Sequence, residues 1–340
     1  MKKMKNEFIL VTGANGHLGY NLVTLLVNKG YRVRASIRKP EFKKLLENTG
    51  CEVVIADITD QEAMRKAMKG ITIVFAVASV FKLWAKNPKS EIYDVNMNGC
   101  KVTLETAAEN GVKRIIYVSS IASLNYSSYP INEKSGYNTD RRDMYYNSKN
   151  DSEQLAFKLA EKYNIELIAV LPSAMIGSEI IDRLSNSNEI LKNIIKNKLP
   201  IETHININWI DVKDVAEGCY LAAINGKNGE RYIIANEKGM SITDTIKIAN
   251  LVLPQLNISK PIKISKWILY LLGYSLGIIS KITKKAPAIT EKEISMFYGL
   301  VQDFDISKAR TELKFSPTSP ELTLKNAFEY MWRYKSKLLN

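Results

Sequence analysis

Tyr145 and Lys149 stand four residues apart in the run Tyr-Tyr-Asn-Ser-Lys, a spacing that puts both on one face of a helix. A tyrosine hydroxyl titrates at about 10, too high for easy proton exchange at neutral pH. An ammonium group one helical turn away favours the phenolate and lowers that value. Such a phenol can give a proton to a carbonyl oxygen as its carbon is reduced, and remove it in reverse. Ser119 and Ser120 follow the apolar run 114–118. A hydroxyl at the carboxyl end of a buried strand can hydrogen-bond that same oxygen. Taken singly, a Tyr/Lys pair is an ordinary helix surface and Ser-Ser an ordinary turn.

Their order in the chain makes them more than that, because a glycine turn precedes them. Residues 12–19 read Thr-Gly-Ala-Asn-Gly-His-Leu-Gly, after an apolar run and before an amphipathic one. Gly13 suits a tight turn, Gly16 lets backbone N–H groups approach a pyrophosphate, and Gly19 lets the helix pack on the strand. Strand before, helix after and a second strand near 32–37 supply the context this motif requires.

The elements that must position these groups follow from periodicity. Apolar runs at 8–11, 33–37, 53–56, 71–77, 114–118 and 166–171 read as buried strands. Helical patterns fill 18–29, 41–48, 60–69, 90–110 and 146–163 between them. Alternation of this kind predicts an α/β fold: a Rossmann-type doubly wound parallel sheet with helices on both faces. Past Pro172 the pattern loosens to one helix over 182–199, a strand at 205–210, a helix at 212–224 and a C-terminal helix at 322–337. We therefore expect a dinucleotide-binding domain over 1–172, rejoined by 205–224. A smaller, discontinuous substrate lobe would take 173–204 and 225–340.

The chain resembles the extended short-chain dehydrogenases/reductases of the NAD(P)-dependent epimerase/dehydratase superfamily. Within them it is similar to the dihydroflavonol-reductase-like and 3β-hydroxysteroid-dehydrogenase-like branch. The matching stretches are 12–19, 33–40, 56–59, 117–120, 145–149, 171–177, 208–214 and 304–309, spread over nearly the whole chain. The resemblance implies Ser120, Tyr145 and Lys149 as the catalytic trio, with Lys149 also holding the nicotinamide ribose. It implies cofactor contacts from Gly13, Asn15, Gly16, His17, Leu18 and Gly19, and from Asp57 and Ile58 beside the adenine. Val77 and Ala78 would line the cofactor floor, Pro172 would start the loop over the nicotinamide, and Asn96 would support the cofactor or the catalytic helix. Homodimerisation through 90–110 and 146–163 is implied in the same way.

Cofactor preference has a physical basis of its own. An acid at the end of the second strand binds a ribose 2′-hydroxyl, whereas an arginine accommodates a 2′-phosphate. That strand ends in Arg38 and Lys39 with no acid, and guanidinium can fork onto phosphate. NADP(H) is the expected cofactor, with NAD(H) as the alternative.

Composition narrows the partners. The 340 residues carry a formal charge of +13, but the lysines are scattered, with no basic-aromatic cluster or nucleic-acid module. Cys51, Cys100 and Cys219 are widely spaced, which suits core or half-buried thiols in a reducing compartment and no metal site. His17 and His204 are the only histidines; His17 reads as a solvent-side or capping residue. The basic N-terminus is followed by too short an apolar run for a signal sequence, and no segment reaches a membrane-spanning length. A cytoplasmic location is the resulting expectation.

The stretch 267–280 places Trp267, Tyr270, Leu271, Tyr274 and Ile278 on one helical face, with lysines at 263, 266, 281, 284 and 285 outside it. It can be a core helix of the small lobe, an apolar lid over substrate, or an interfacial membrane contact. The leading expectation for the whole chain is an oxidoreductase interconverting a carbonyl and an alcohol on a fairly apolar small molecule. Its main rival is a sugar-nucleotide epimerase or dehydratase with tightly held NAD. Arg38 and the apolar 267–280 stretch count against that, as does the lack of an acidic pair in 121–126. A non-catalytic NADP(H)-binding regulator is a third class, and such proteins tend to lose the tyrosine or lysine that this chain keeps.

Overall fold

The computed structural model describes residues 7–82, 85–127, 129–178, 185–202, 204–283 and 291–334. Its frame is a seven-stranded, wholly parallel sheet. Six strands come from the first half: β1 (Phe8–Thr12), β2 (Arg32–Ile37), β3 (Glu52–Ile55), β4 (Ile73–Ala76), β5 (Arg114–Val118) and β6 (Glu166–Pro172). Short strands follow: β7 (Ala174–Ile176), β8 (Ile201–Glu202), β9 (Asn206–Ile207), β10 (Trp209–Asp211), β11 (Arg231–Ile234), β12 (Met240–Ser241) and β13 (Ile262–Lys263). The sheet order is β11-β6-β5-β4-β1-β2-β3, which reverses direction between β1 and β4. A ligand crevice opens at the carboxyl edge at such a switch point.

Both faces of the sheet are covered, so its strands are apolar throughout. Along β1, Ile9 and Val11 pack on α1 (His17–Asn28), while Phe8 and Leu10 pack on the opposite side. That opposite side is covered by α2 (Gln61–Ala67), α3 (Asp94–Glu109) and α4 (Met144–Tyr163). The same two-residue alternation runs through β4 and β5, each face receiving every second side chain. The later helices are α5 (Asn186–Ile195), α6 (Val212–Asn225), α7 (Ile242–Val252), α8 (Lys266–Thr283), α9 (Glu291–Phe297) and α10 (Pro320–Tyr334). Leu191, Trp209, Ile246 and Phe328 centre a separate core among α5, β10, α7 and α10.

The structure departs from the sequence expectation in four places. Residues 41–48 form 3₁₀ turns, Pro40–Leu45 and Glu47–Thr49, in place of an α-helix. Leu46, between the two turns, is fully buried and Phe42 packs on the same core, so these two anchors hold the segment against the sheet without a continuous helix. The span 225–340 does not lie wholly outside the sheet, since β11 pairs with β6 and extends it. Of 205–224, helix α6 packs beside the sheet on α1, but the strand portion splits into β9 and β10, which pair with β12 and β7. Fourth, of the three readings open for 267–280 the core helix does not fit: Trp267, Leu271, Tyr274 and Ile278 all face solvent. Residues 182–184, 284–285 and 335–337, parts of expected helices or their flanks, lie outside the described residues, as does the N-terminal basic run 1–6.

Candidate active site

The glycine turn is built by backbone proximity. Gly13 has φ +64°, and a Cβ there would sit 3.0 Å from the Cα of Ala78. Gly19 is tighter, because its Cβ would fall 2.2 Å from the Gly13 carbonyl oxygen and 2.9 Å from the Ala14 Cα. Thr12 locks the neighbouring turn, its Oγ1 accepting from the N–H groups of both Val77 and Ala78 at 3.0 Å. Since the atoms facing Gly19 are backbone, no rotamer change relieves a substitution. Gly19→Ala is therefore expected to cost about 1–3 kcal/mol or more and to weaken dinucleotide binding, as checked by denaturant unfolding and by titration of the nucleotide.

The start of α1 has the donors an anion requires. Its N-cap is Gly16, no side chain caps it, and its first turn holds no acid. First-turn N–H groups and the helix dipole then point at the crevice. Asn15 and His17 are half-buried there, while the Leu18 side chain belongs to the core, so Leu18 can offer only backbone. Arg38 and Lys39 emerge, exposed, from the end of β2. Lys39 pairs with Glu41 at 3.4 Å, and Arg38 has no ion pair among the described residues. Asp57 is less free, its Oδ1 accepting from the N–H and hydroxyl of Thr59 at 2.9 and 2.7 Å. Ile58 packs against Gly99 of α3. Glycine cradle, uncapped helix start and a cation past β2 together fit a dinucleotide.

The Ser, Tyr and Lys predicted from sequence converge at the ends of β5 and α4. Asp143 caps α4, accepting from the N–H groups of Tyr145 and Tyr146 at 2.9 and 3.1 Å, which fixes Tyr145 in the first turn. Asn96 of α3 takes the N–H of Val80 at 2.7 Å and donates to the Ser148 hydroxyl at 2.9 Å. It thus ties the loop after β4 to the helix that carries Tyr145 and Lys149. Ser120 is half-exposed and sits close enough to the Tyr145 hydroxyl to lower its titration, whereas Ser119 is buried and donates to Glu153. Of the two serines, Ser120 is the one that faces the crevice. Pro172 ends β6, where the following backbone pairs with β11.

Electrostatics differ from the sequence expectation. Burial pushes the Tyr145 phenol up to about 12, against a smaller downward pull from the Ser120 hydrogen bond. The expected acidification by Lys149 does not govern it. The ammonium instead donates to the Val118 carbonyl at 3.1 Å. Burial lowers Lys149 to about 8, opposed by the charge of Glu153.

Glu153 is the functional-site residue that sequence reading missed. It is fully buried and forms an ion pair with Arg231 of β11, while its other oxygen accepts from Ser119 and, at 2.7 Å, from Ser123. Arg231 also donates to Ser123 at 3.0 Å. Glu153 sits four residues after Lys149, on the same helical face; a third polar group at that spacing was the available signal. Aromatic rings were missed as well. Phe81 lies 4.4 Å from the Tyr145 ring, Tyr146 lies 6.1 Å from it, and Phe297 of α9 lies 5.7 Å from Tyr146.

A Rossmann sheet, a phosphate-accepting glycine turn and a serine-tyrosine-lysine cluster at its carboxyl edge define an NAD(P)-dependent oxidoreductase acting at CH–OH/C=O centres. The model of the "NAD dependent epimerase/dehydratase family" matches residues 9–235. Cinnamoyl-CoA reductase CAD2 of Medicago truncatula is 26% identical over 269 residues, covering 74% of this chain and 82% of that one. Dihydroflavonol 4-reductase of Dianthus caryophyllus is 25% identical over 284 residues, covering 76% and 77%. Among solved structures, yeast methylglyoxal/isovaleraldehyde reductase complexed with NADPH superposes with a TM-score of 0.75 at 21% identity, over 97% of this chain and 99% of that one. The chain belongs to the NAD-dependent epimerase/dehydratase family, in its extended short-chain dehydrogenase/reductase form.

Proposed function

We propose that this enzyme is an NADP(H)-dependent reductase that interconverts a ketone or aldehyde and an alcohol on a fairly apolar small molecule. The observation that carries the reading is the convergence of Ser120, Tyr145 and Lys149 at the end of β5, walled by Phe81, Tyr146 and Phe297 beside the glycine turn. Residues of the glycine turn with Arg38 would hold a dinucleotide, which would supply hydride chemistry at the carbonyl carbon. Ser120 donates its hydroxyl to the carbonyl oxygen and orients it. Tyr145, protonated at neutral pH, delivers its proton to that oxygen, and takes it back in the alcohol-oxidising direction. Lys149 holds positive charge beneath the site, anchored by the Val118 carbonyl, and would be the residue to hold the ribose of a bound cofactor. Aromatic walls exclude water and favour an apolar substrate over a nucleoside-diphosphate sugar, whose phosphates call for polar and basic partners.

NADPH oxidation measured over a panel of ketones and aldehydes tests the activity. Turnover of at least one aryl or alicyclic carbonyl is expected. Tightly retained NAD with no NADPH oxidation would overturn the reading in favour of an epimerase. Cofactor choice has its own test. Arg38 is exposed and without an acidic partner among the described residues, so it is placed to receive a 2′-phosphate. Charge-assisted hydrogen bonds of this kind contribute about 1.5–3 kcal/mol, so Arg38→Asp is expected to raise the KM for NADPH about 10–100-fold. The KM for NADH should change far less, and equal effects on both would remove Arg38 from the cofactor site.

A further inference from the structure

Helix α8 is amphipathic the wrong way round for a helix of a protein surrounded by water. Its inward side is Leu269, Gly273 and the half-buried Tyr270, Leu276 and Gly277. Its outward side is Trp267, Ile268, Leu271, Tyr274, Ile278 and Ile279, all exposed, with Trp267 at 65% and Leu271 and Tyr274 at 59%. Together with Leu272 and Ser275 these span an arc of about 160°, taking 3.6 residues per turn. Ser275, the polar member of that arc, turns its hydroxyl back onto the Leu271 carbonyl at 2.8 Å. Scattered exposed apolar residues need no explanation, but a contiguous apolar helix face does.

Charge indicates what covers it. From Thr245 to Thr290 the chain contains no Asp or Glu but seven lysines: 247, 260, 263, 266, 281, 284 and 285. Six of these flank α8 or occupy its ends, and Lys260, Lys263 and Lys266 are exposed. An apolar face bearing Trp and Tyr between cationic ends matches the zone between lipid headgroups and acyl chains of an anionic bilayer. A second protein copy would have to neutralise these lysines with acids, and this segment offers none to its own twin. No helix among the described residues is long and apolar enough to cross a membrane, so the contact is with the surface.

We propose that the outward face of α8 docks this enzyme on an anionic lipid surface. The patch adjoins the candidate active site. Helix α9 packs beside α8, and from it Ser295 accepts a hydrogen bond from Arg142 while Phe297 meets Tyr146. Docking would therefore hold the candidate site one helix away from the acyl boundary, where apolar carbonyl compounds concentrate. Lipid docking requires nothing of the reductase activity, and vesicle binding is read without turnover.

The test is flotation of the full chain with vesicles of phosphatidylcholine alone and of phosphatidylcholine with an equal part of phosphatidylglycerol. Binding to the mixed vesicles and not to phosphatidylcholine is expected, with release as salt is raised. Leu271→Glu with Ile278→Glu should lower the bound fraction more than tenfold while leaving the unfolding midpoint unchanged, since both positions are at the surface. Each exposed flanking lysine changed to glutamine should weaken binding by about fivefold. Bromolipid should quench Trp267 fluorescence, and Trp267→Phe should abolish that component. Failure of the wild-type chain to float with anionic vesicles would overturn the proposal, as would flotation that survives the double substitution. Dimers dissolved by the double substitution, in a chain that binds no vesicles, would assign the face to a second copy instead.

Discussion

Tyr145→Phe is expected to lower turnover by about 10²–10⁴-fold, the range a positioned general acid contributes. The substitution removes one oxygen and little else. The ring against Phe81 remains, the Asp143 cap on the backbone of residues 145 and 146 is untouched, and the glycine turn lies on another element. Dinucleotide affinity and the unfolding midpoint should therefore stay within about twofold and about 0.5 kcal/mol of wild type. Because the phenol sits at about 12, the tyrosine is fully protonated at neutral pH and loaded as a proton donor in the reducing direction. The lost interaction forms only as charge develops on the carbonyl oxygen, so kcat and kcat/KM should fall together while KM holds. Single-turnover measurement of NADPH oxidation decides it. Activity within tenfold of wild type would move the proton to another donor.

The elements most legible in the sequence were those whose physics is local. Buried parallel strands are apolar on both faces, so β1, β4, β5 and β6 stand out from the chain without any knowledge of their neighbours. Gly13 and Gly19 announce the turn because both are required by backbone geometry. Tyr145, Lys149 and Ser120 were legible as a pattern of spacing, and the structure does bring them together. Tertiary environment was not legible. The pattern 41–48 looked helical, and its apolar positions Phe42 and Leu46 do reach the core, but from 3₁₀ turns. Periodicity grouped Trp267, Leu271, Tyr274 and Ile278 on one face of α8, but could not say whether that face would be covered. The Tyr145 titration followed burial, a property of the folded site, over the lysine one turn away. Glu153 gains its meaning only from Arg231, 78 residues further along the chain.

Glu153→Gln is expected to destabilise the protein by about 3 kcal/mol, at the low end for stranding one member of a buried ion pair. The Arg231 side chain is 11% exposed and that of Glu153 is 0%, so a little water reaches the abandoned guanidinium and softens the loss. Glutamine keeps the shape of the side chain and one acceptor, so the Ser119 and Ser123 hydroxyls retain a partner. The effect should therefore be chiefly electrostatic. Replacing both partners, as Glu153→Gln with Arg231→Met, should recover more than half of the stability lost in the single variant. A structural loss alone would not alter titration, but this substitution should. The charge of Glu153 raises Lys149 against the larger downward pull of burial, and its removal lets Lys149 fall below about 8. With its folded value depressed from the ordinary 10.5, Lys149 binds fewer protons folded than unfolded between about 8 and 10.5. Stability therefore rises with pH across that window, and the variant's window should extend lower. If the site requires the ammonium, kcat/KM of the wild type falls above about pH 8, and in the variant that alkaline limb moves toward neutrality. An unmoved limb accompanied by lost stability would reduce Glu153 to a strut for β11, with no hold on the charge beneath Tyr145.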